Sequence, residues 1–103
     1  MASFNHFLSL DEETASRIAE LFGTLSDTTS LRIISVIFTS EQSVGAIAEA
    51  INLSESAVSH HLRSMRQLRI VSSRREGKHI YYRLDDSHVA DLFQKGLEHI
   101  KHD

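Results

Sequence analysis

Cysteine, proline and tryptophan are all absent from the 103-residue sequence. Without cysteine the chain has no disulfide, no thiolate metal ligand and no thiol nucleophile, so a zinc-like metal would have to be held by imidazole and carboxylate groups. A cysteine-free chain also fits a reducing, cytoplasmic setting. No proline, low-complexity tract or internal repeat marks a linker or a second domain. No apolar run reaches the roughly 18 residues of a membrane span, and the N-terminus lacks a basic segment followed by an apolar stretch, so neither a membrane helix nor a signal peptide is expected. At 11.6 kDa the chain reads as one soluble domain whose modest core a dimer interface could enlarge.

Acidic and basic residues balance to a formal charge of -3, which would argue against a nucleic-acid partner if the charges were evenly spread. They are not. Residues 60–83 hold seven of the eleven Lys and Arg side chains (Arg63, Arg66, Arg69, Arg74, Arg75, Lys78 and Arg83) against one acid, Glu76. Residues 1–53 hold seven acids and two bases. A basic strip of this kind can face phosphate while the acids occupy another surface.

Residues 1–9 read as a short flexible arm and residues 10–103 as a single domain. Leu10-Asp11-Glu12-Glu13 starts an amphipathic helix, with acids in the favourable first turn and Ile18, Leu21, Phe22 and Leu25 as its apolar stripe. A second helix follows Asp27 or Thr28, its Leu31, Ile34 and Phe38 spaced to face a core, with Ile33, Val36 and Ile37 broadening that surface. Ser43 can cap a short third helix carrying Val44, Ile47, Ala48 and Ile51, and Asn52-Leu53-Ser54 breaks the chain before a fourth. From Val71 the period changes to two: a strand over residues 71–75, a Glu76-Gly77 turn, and a strand from Lys78 to Leu84 that turns Ile80, Tyr82 and Leu84 to one face. Asp85 or Asp86 begins a final helix with Val89, Leu92, Phe93, Leu97 and Ile100 in a stripe. The fold class is therefore mainly α with a small β-hairpin, four helices, two strands and a fifth helix, arranged as a winged helix-turn-helix.

That architecture predicts binding of double-stranded DNA, with Ser54 to Gln67 as the recognition helix in a major groove. Val58, Leu62 and Met65 face inward, leaving Ser56, Ser59, His60 and Arg63 biased toward the other side. Ser56 and Ser59 can hydrogen-bond base edges, His60 can read a base or contact phosphate, and Arg63 can do either. Arg74, Arg75 and Lys78 in the wing are expected on phosphate or in the minor groove. His61 lies nearer the apolar side, where it reads as a hydrogen-bonded support. Any of these residues alone is an ordinary solvated side chain; their concentration beside a helix-turn-helix carries the reading.

A second constellation lies at the C-terminal end. Asp86 and His88 are two apart at the start of the last helix, and His99 and His102 are three apart near its end. Eleven residues of helix from His88 to His99 cover about 16 Å, so one ion with bonds of about 2 Å cannot reach both pairs within one chain. An antiparallel helix from a second subunit brings the pairs together and, by two-fold symmetry, makes two equivalent sites. One oxygen and three nitrogens close a tetrahedral zinc shell, which leaves no open position for catalysis, and no separate nucleophile and base accompany it. Singly, Asp86 is a helix cap and the histidines are surface residues; the joint spacing favours a shared metal site.

These residues together resemble the ArsR/SmtB family of bacterial metal-responsive repressors, and most closely its CzrA-like zinc- and cobalt-sensing branch. The similarity runs from about Ala19 to His102, through Glu20-Leu21-Phe22, Leu31-Arg32-Ile33, the segment from Leu53 to Leu62, the wing and the terminal ligand set. It implies a homodimer that represses metal-efflux genes from an inverted repeat and is released by Zn(II) or Co(II). It further implies DNA readout by Ser56, Ser59 and His60, and a bond from the metal-bound His99 to a backbone carbonyl near Arg69. Two departures stand out: Ser43-Val44-Gly45-Ala46 has none of the cysteines of the thiolate-type sensors, and Asp27-Thr28-Thr29-Ser30 replaces a common turn containing Pro and Arg. The nearest alternative is a Ni(II)- or Co(II)-specific repressor with His6 completing an octahedral site. From another class comes an architectural DNA-binding protein without metal sensing; a metalloenzyme ranks third.

Overall fold

The computed structural model describes residues 8–102, so His6 and most of the expected N-terminal arm lie outside the described residues. The elements are α1 (Glu12–Leu25), α2 (Thr28–Ile37), β1 (Gln42–Ser43), α3 (Val44–Ile51), α4 (Glu55–Gln67), β2 (Val71–Glu76), β3 (His79–Leu84) and α5 (Ser87–Lys101). Four helix starts follow one rule, a side-chain oxygen accepting an otherwise orphaned backbone N–H. Asp11 accepts from Thr14, Ser43 from Ala46, Ser54 from Ala57, and Asp86 from His88 and Val89.

The two helices of the helix-turn-helix end alike. Past α3, Asn52 is left-handed at φ 59° and the N–H groups of Asn52 and Leu53 donate to the carbonyls of Glu49 and Ala48. Past α4, Arg69 is left-handed at φ 60° and the N–H groups of Arg69 and Ile70 donate to the carbonyls of Arg66 and Met65. Both are Schellman closures, and at the second the apolar pair that such closures favour, Met65 and Ile70, is fully buried. Asn tolerates the left-handed region through its short polar side chain, whereas Arg sits there at a steric cost.

The core lies where α2, α3 and α4 meet the inner face of the sheet. Ile33, Ile34, Ile47, Val58, Leu62, Met65 and Ile70 are completely buried there. Each stabilises the fold by roughly 1.5–3 kcal/mol relative to exposure. The core face of α2 is rotated from the expected one: Ser30, Ile33, Ile34 and Ile37 are buried, while Leu31 remains exposed. Contiguous apolar residues made several faces of this helix equally plausible by pattern, and packing against α3 and α4 selected one.

The sheet also differs from a plain hairpin. Gln42 and Ser43 pair antiparallel with Tyr82 and Tyr81, giving three strands in the order β1-β3-β2. The hairpin turn is Gly77-Lys78 rather than Glu76-Gly77, with Gly77 at φ 64°, because a tight two-residue turn needs positive φ at its first position and Gly meets that without strain. As expected, Tyr82 faces the core with Ile80 and Leu84 packed beside it.

Neither α1 nor α5 has a buried residue. Their stripes line a groove of about 460 Å³ with α2, built from Phe22, Leu25, Leu31, Leu92, Phe93 and Leu97, and Ile100 beside it is 80% exposed. Among the described residues no helix is long and apolar enough to cross a membrane.

Candidate nucleic-acid interface and metal centre

The candidate recognition surface is built outward from the core. Val58, Leu62 and Met65 seat α4 on the core, and its N-terminal turn is held by the 3.1 Å bond from the Ala57 N–H to Ser54 Oγ. Ser56, His60 and Arg63 consequently point to solvent. Ser59 is half-buried and lines a small polar hollow with Ser43, Glu55, Lys78 and His79, where the recognition helix meets the turn of the wing. It stands at the junction of two candidate DNA-contacting elements.

His61 takes the supporting part that its position near the apolar side suggested. Its Nε2 lies 2.8 Å from Asp27 Oδ2 and its Nδ1 3.1 Å from the Ala57 carbonyl. Asp27 Oδ2 also accepts from the buried Ser30 hydroxyl at 3.3 Å. This explains the unusual start of α2: Asp27 holds the N-cap position without capping through its side chain, because its carboxylate reaches across to α4 instead. A second tie, from Arg66 Nη1 to Ser73 Oγ at 3.2 Å, joins α4 to β2.

Three wing cations were expected to be equivalent, and the structure separates them. Arg75 and Lys78 are exposed near the hairpin tip, Arg75 donating only a long 3.4 Å bond to the Gly77 carbonyl. Arg74 is held between two carboxylates. Its Nε donates to Glu41 Oε1 and Oε2 at 2.9 and 3.1 Å, Nη2 donates to Glu41 Oε1, and Nη1 donates to Glu76 Oε1 at 2.9 Å. The guanidinium carbon also lies 4.7 Å from the centre of the Tyr81 ring. Hydrogen bonding from Arg74 holds the Glu41 carboxyl below its ordinary range against the opposing effect of desolvation, and bonding to Glu41 and then Glu76 pushes the Arg74 guanidinium up. Neither the Glu41–Arg74 nor the Asp27–His61 contact carried a local sequence signal, since each joins residues more than thirty apart.

Of the four ligand candidates Asp86 and His88 stand together at the start of α5 while His99 and His102 lie at its far end, and among the described residues no group of three or more such side chains gathers within one subunit. Asp86 Oδ1 caps α5 while Oδ2 lies 3.4 Å from His88 Nδ1. Two ligands bound to a tetrahedral zinc at about 2.0–2.1 Å stand about 3.3–3.4 Å apart, so this pair has the spacing the ion requires. His88 is 89% exposed on its side chain and free to be approached. Desolvation raises the Asp86 carboxyl, but hydrogen bonds from Val89 N–H and then from the His88 ring and N–H outweigh it and leave the group below its ordinary range, a ready anionic ligand. His99 lies in the last turn of α5, and His102 caps it at φ -80°, ψ 131°, where the chain leaves the helix.

Comparison with known proteins places this architecture. The description of bacterial regulatory proteins of the arsR family matches residues 27–73, which span α2 to the start of β2. A transcriptional repressor SmtB homolog from Synechocystis is 42% identical over 94 residues, covering 91% of this chain and 70% of the relative. The chain belongs to the ArsR/SmtB family. A Staphylococcus aureus homolog of the cadmium resistance transcriptional regulatory protein CadC is 38% identical, covering 87% of this chain and 75% of that one. A homodimeric winged helix-turn-helix DNA-binding domain from Mycobacterium bovis, solved by NMR, superposes with a TM-score of 0.78 at 27% identity, covering 94% and 96% of the two chains. The ArsR/SmtB relatives are transcriptional regulators, a family of non-enzymes.

Proposed function

We propose that this chain is a cytoplasmic, metal-responsive transcriptional repressor that binds an inverted-repeat operator as a homodimer and loosens its grip in the presence of Zn(II) or Co(II). The observation that carries this reading is the division of α5: a preformed Asp86–His88 pair at its N-terminal end, His99 and His102 at its C-terminal end, and an unburied apolar stripe between them. A second copy covering that stripe would supply the complementary pair. The homodimeric Mycobacterium bovis neighbour and the cadmium-resistance relative support pairing and metal response.

Asp86, His88, His99 and His102 would hold the ion, which when bound supplies a rigid link between subunits. The protein's own part is geometric. Two recognition helices that must enter successive major grooves, about 34–36 Å apart or a multiple of that, tolerate little change in the angle between subunits. Ser56, Ser59, His60 and Arg63 read the groove from α4, and Arg75 and Lys78 approach phosphate from the wing. Their separation, and hence operator affinity, follows the packing of α5.

The test is a zinc titration of operator binding at fixed salt, repeated with His99→Ala. Zinc should weaken the wild-type complex and leave the variant's unchanged. Equal release in both, or a wild-type complex undisturbed at saturating zinc, would overturn the reading.

A further inference from the structure

Arg74 is bound on the outer face of the sheet in a way that sets it apart from the other wing cations. It lies in β2, and in the two ladders Tyr81 of β3 stands opposite both Arg74 and Ser43. The guanidinium therefore crosses the Tyr81 ring to grasp Glu41, the residue before β1, while Glu76 holds its other edge. Ser43, two residues after Glu41, is the N-cap of α3. The arginine thus straps the wing to the point where the helix-turn-helix begins.

We infer that Arg74 is a positioning residue, which through Glu41 fixes the wing relative to α3 and α4 and does not itself bind phosphate. Exposed ion pairs usually contribute little, but the exceptions are bidentate Arg–carboxylate geometry and charge networks, and this contact is both. The two-residue β1 offers too short a ladder to hold itself, so an anchor at its flank matters more than one in the middle of a long strand. A phosphate seeking Arg74 would have to displace a two-point carboxylate and would meet Glu41 and Glu76 as repelling neighbours. What the strap provides on DNA is preorganisation: wing and recognition helix arrive already spaced, and less ordering remains to be done on binding.

The inference rests on the DNA-binding reading, and the experiment separates the two. A duplex enriched by the wild-type protein from a random pool of about 30 base pairs, about three helical turns, serves as probe. Arg74→Lys and Glu41→Gln should each weaken binding by about three- to tenfold, and Arg74→Gln should leave the slope of log affinity against log salt unchanged. In the DNA-free protein, amide exchange at Gln42, Ser43 and Tyr81 should accelerate in the variants while Leu62 in the core keeps its protection. A phosphate contact predicts the reverse pattern: Lys, retaining the charge, would preserve affinity, Glu41→Gln would tighten it, and Arg74→Gln would cut the slope by about 0.9. That pattern overturns the inference. Faster exchange with unaltered affinity also overturns it, since the strap would then be only structural. Failure of the wild-type protein to enrich any duplex would instead refute the DNA reading, and the positioning role with it, whatever the exchange data show about the strap.

Discussion

Asp86 faces His88 twice: its Oδ1 accepts the His88 backbone N–H at 2.9 Å, and its Oδ2 lies 3.4 Å from the His88 ring nitrogen. One carboxylate therefore starts α5 and forms half of the proposed ligand pair. Asparagine caps helices about as well as aspartate but is a poor zinc ligand. Asp86→Asn should keep the helicity of α5 while lowering zinc affinity by about tenfold or more, the scale on which even outer-shell changes act. Asp86→Ala should lose both. Circular dichroism with a competitive zinc titration checks this, and tight zinc binding by the asparagine variant would remove Asp86 from the ligand set.

Acid should destabilise the fold through three carboxyls. Hydrogen bonds from Thr14 hold Asp11 low, those from Arg74 hold Glu41 low, and those from Val89 and His88 outweigh desolvation at Asp86. A carboxyl whose pKa falls on folding stabilises the native state above its unfolded value and loses that contribution as pH drops through the folded value. Melting temperature should therefore decline as pH falls past 4.5, the ordinary value for Glu41, and then 3.8, that for Asp11 and Asp86. Glu41→Gln should flatten the upper part of that decline; an unaltered profile would show that the strap contributes nothing to stability.

Adjacent histidines should behave differently. His61, tied to Asp27 and Ala57, should cost about 1 kcal/mol of stability on replacement by Ala, with base preference unchanged. Exposed His60 should have little effect on stability and a clear one on operator affinity. Urea unfolding and binding to single-base operator variants separate the two, and a shifted base preference in His61→Ala would assign it to readout.

The groove beside α5 yields a simple oligomer test. Leu97→Glu and Ile100→Glu place charges on the exposed stripe without touching the buried core, so each subunit should fold and remain monomeric. Sedimentation velocity reads the mass directly. A dimer that persists in both variants would mean that copies pair through another surface.

Removing the recognition-helix cap with Ser54→Ala should cost about 1 kcal/mol, visible in chemical denaturation. Operator affinity should fall as well, because the first turn of α4 carries Ser56. A melting curve identical to wild type would show the cap to be dispensable.

Local spacing determined the helix starts at Asp11, Ser43, Ser54 and Asp86, the inward row Val58, Leu62 and Met65, and the alternation of Ile80, Tyr82 and Leu84. Each depends on residues within a turn or two of one another, where helical and extended periods are strict. The pairing of Gln42-Ser43 with Tyr82-Tyr81 did not, because two residues carry no readable period. Nor did the choice of Ile33, Ile34 and Ile37 over Leu31 as the buried face of α2, since the segment is apolar on several sides and only the shape of α3 and α4 decides among them. Tertiary structure alone joined Asp27 to His61 and Glu41 to Arg74. Side chains that far apart in the chain meet only after the core has closed, which is why three basic residues that look alike in the sequence become one strap and two exposed cations in the fold.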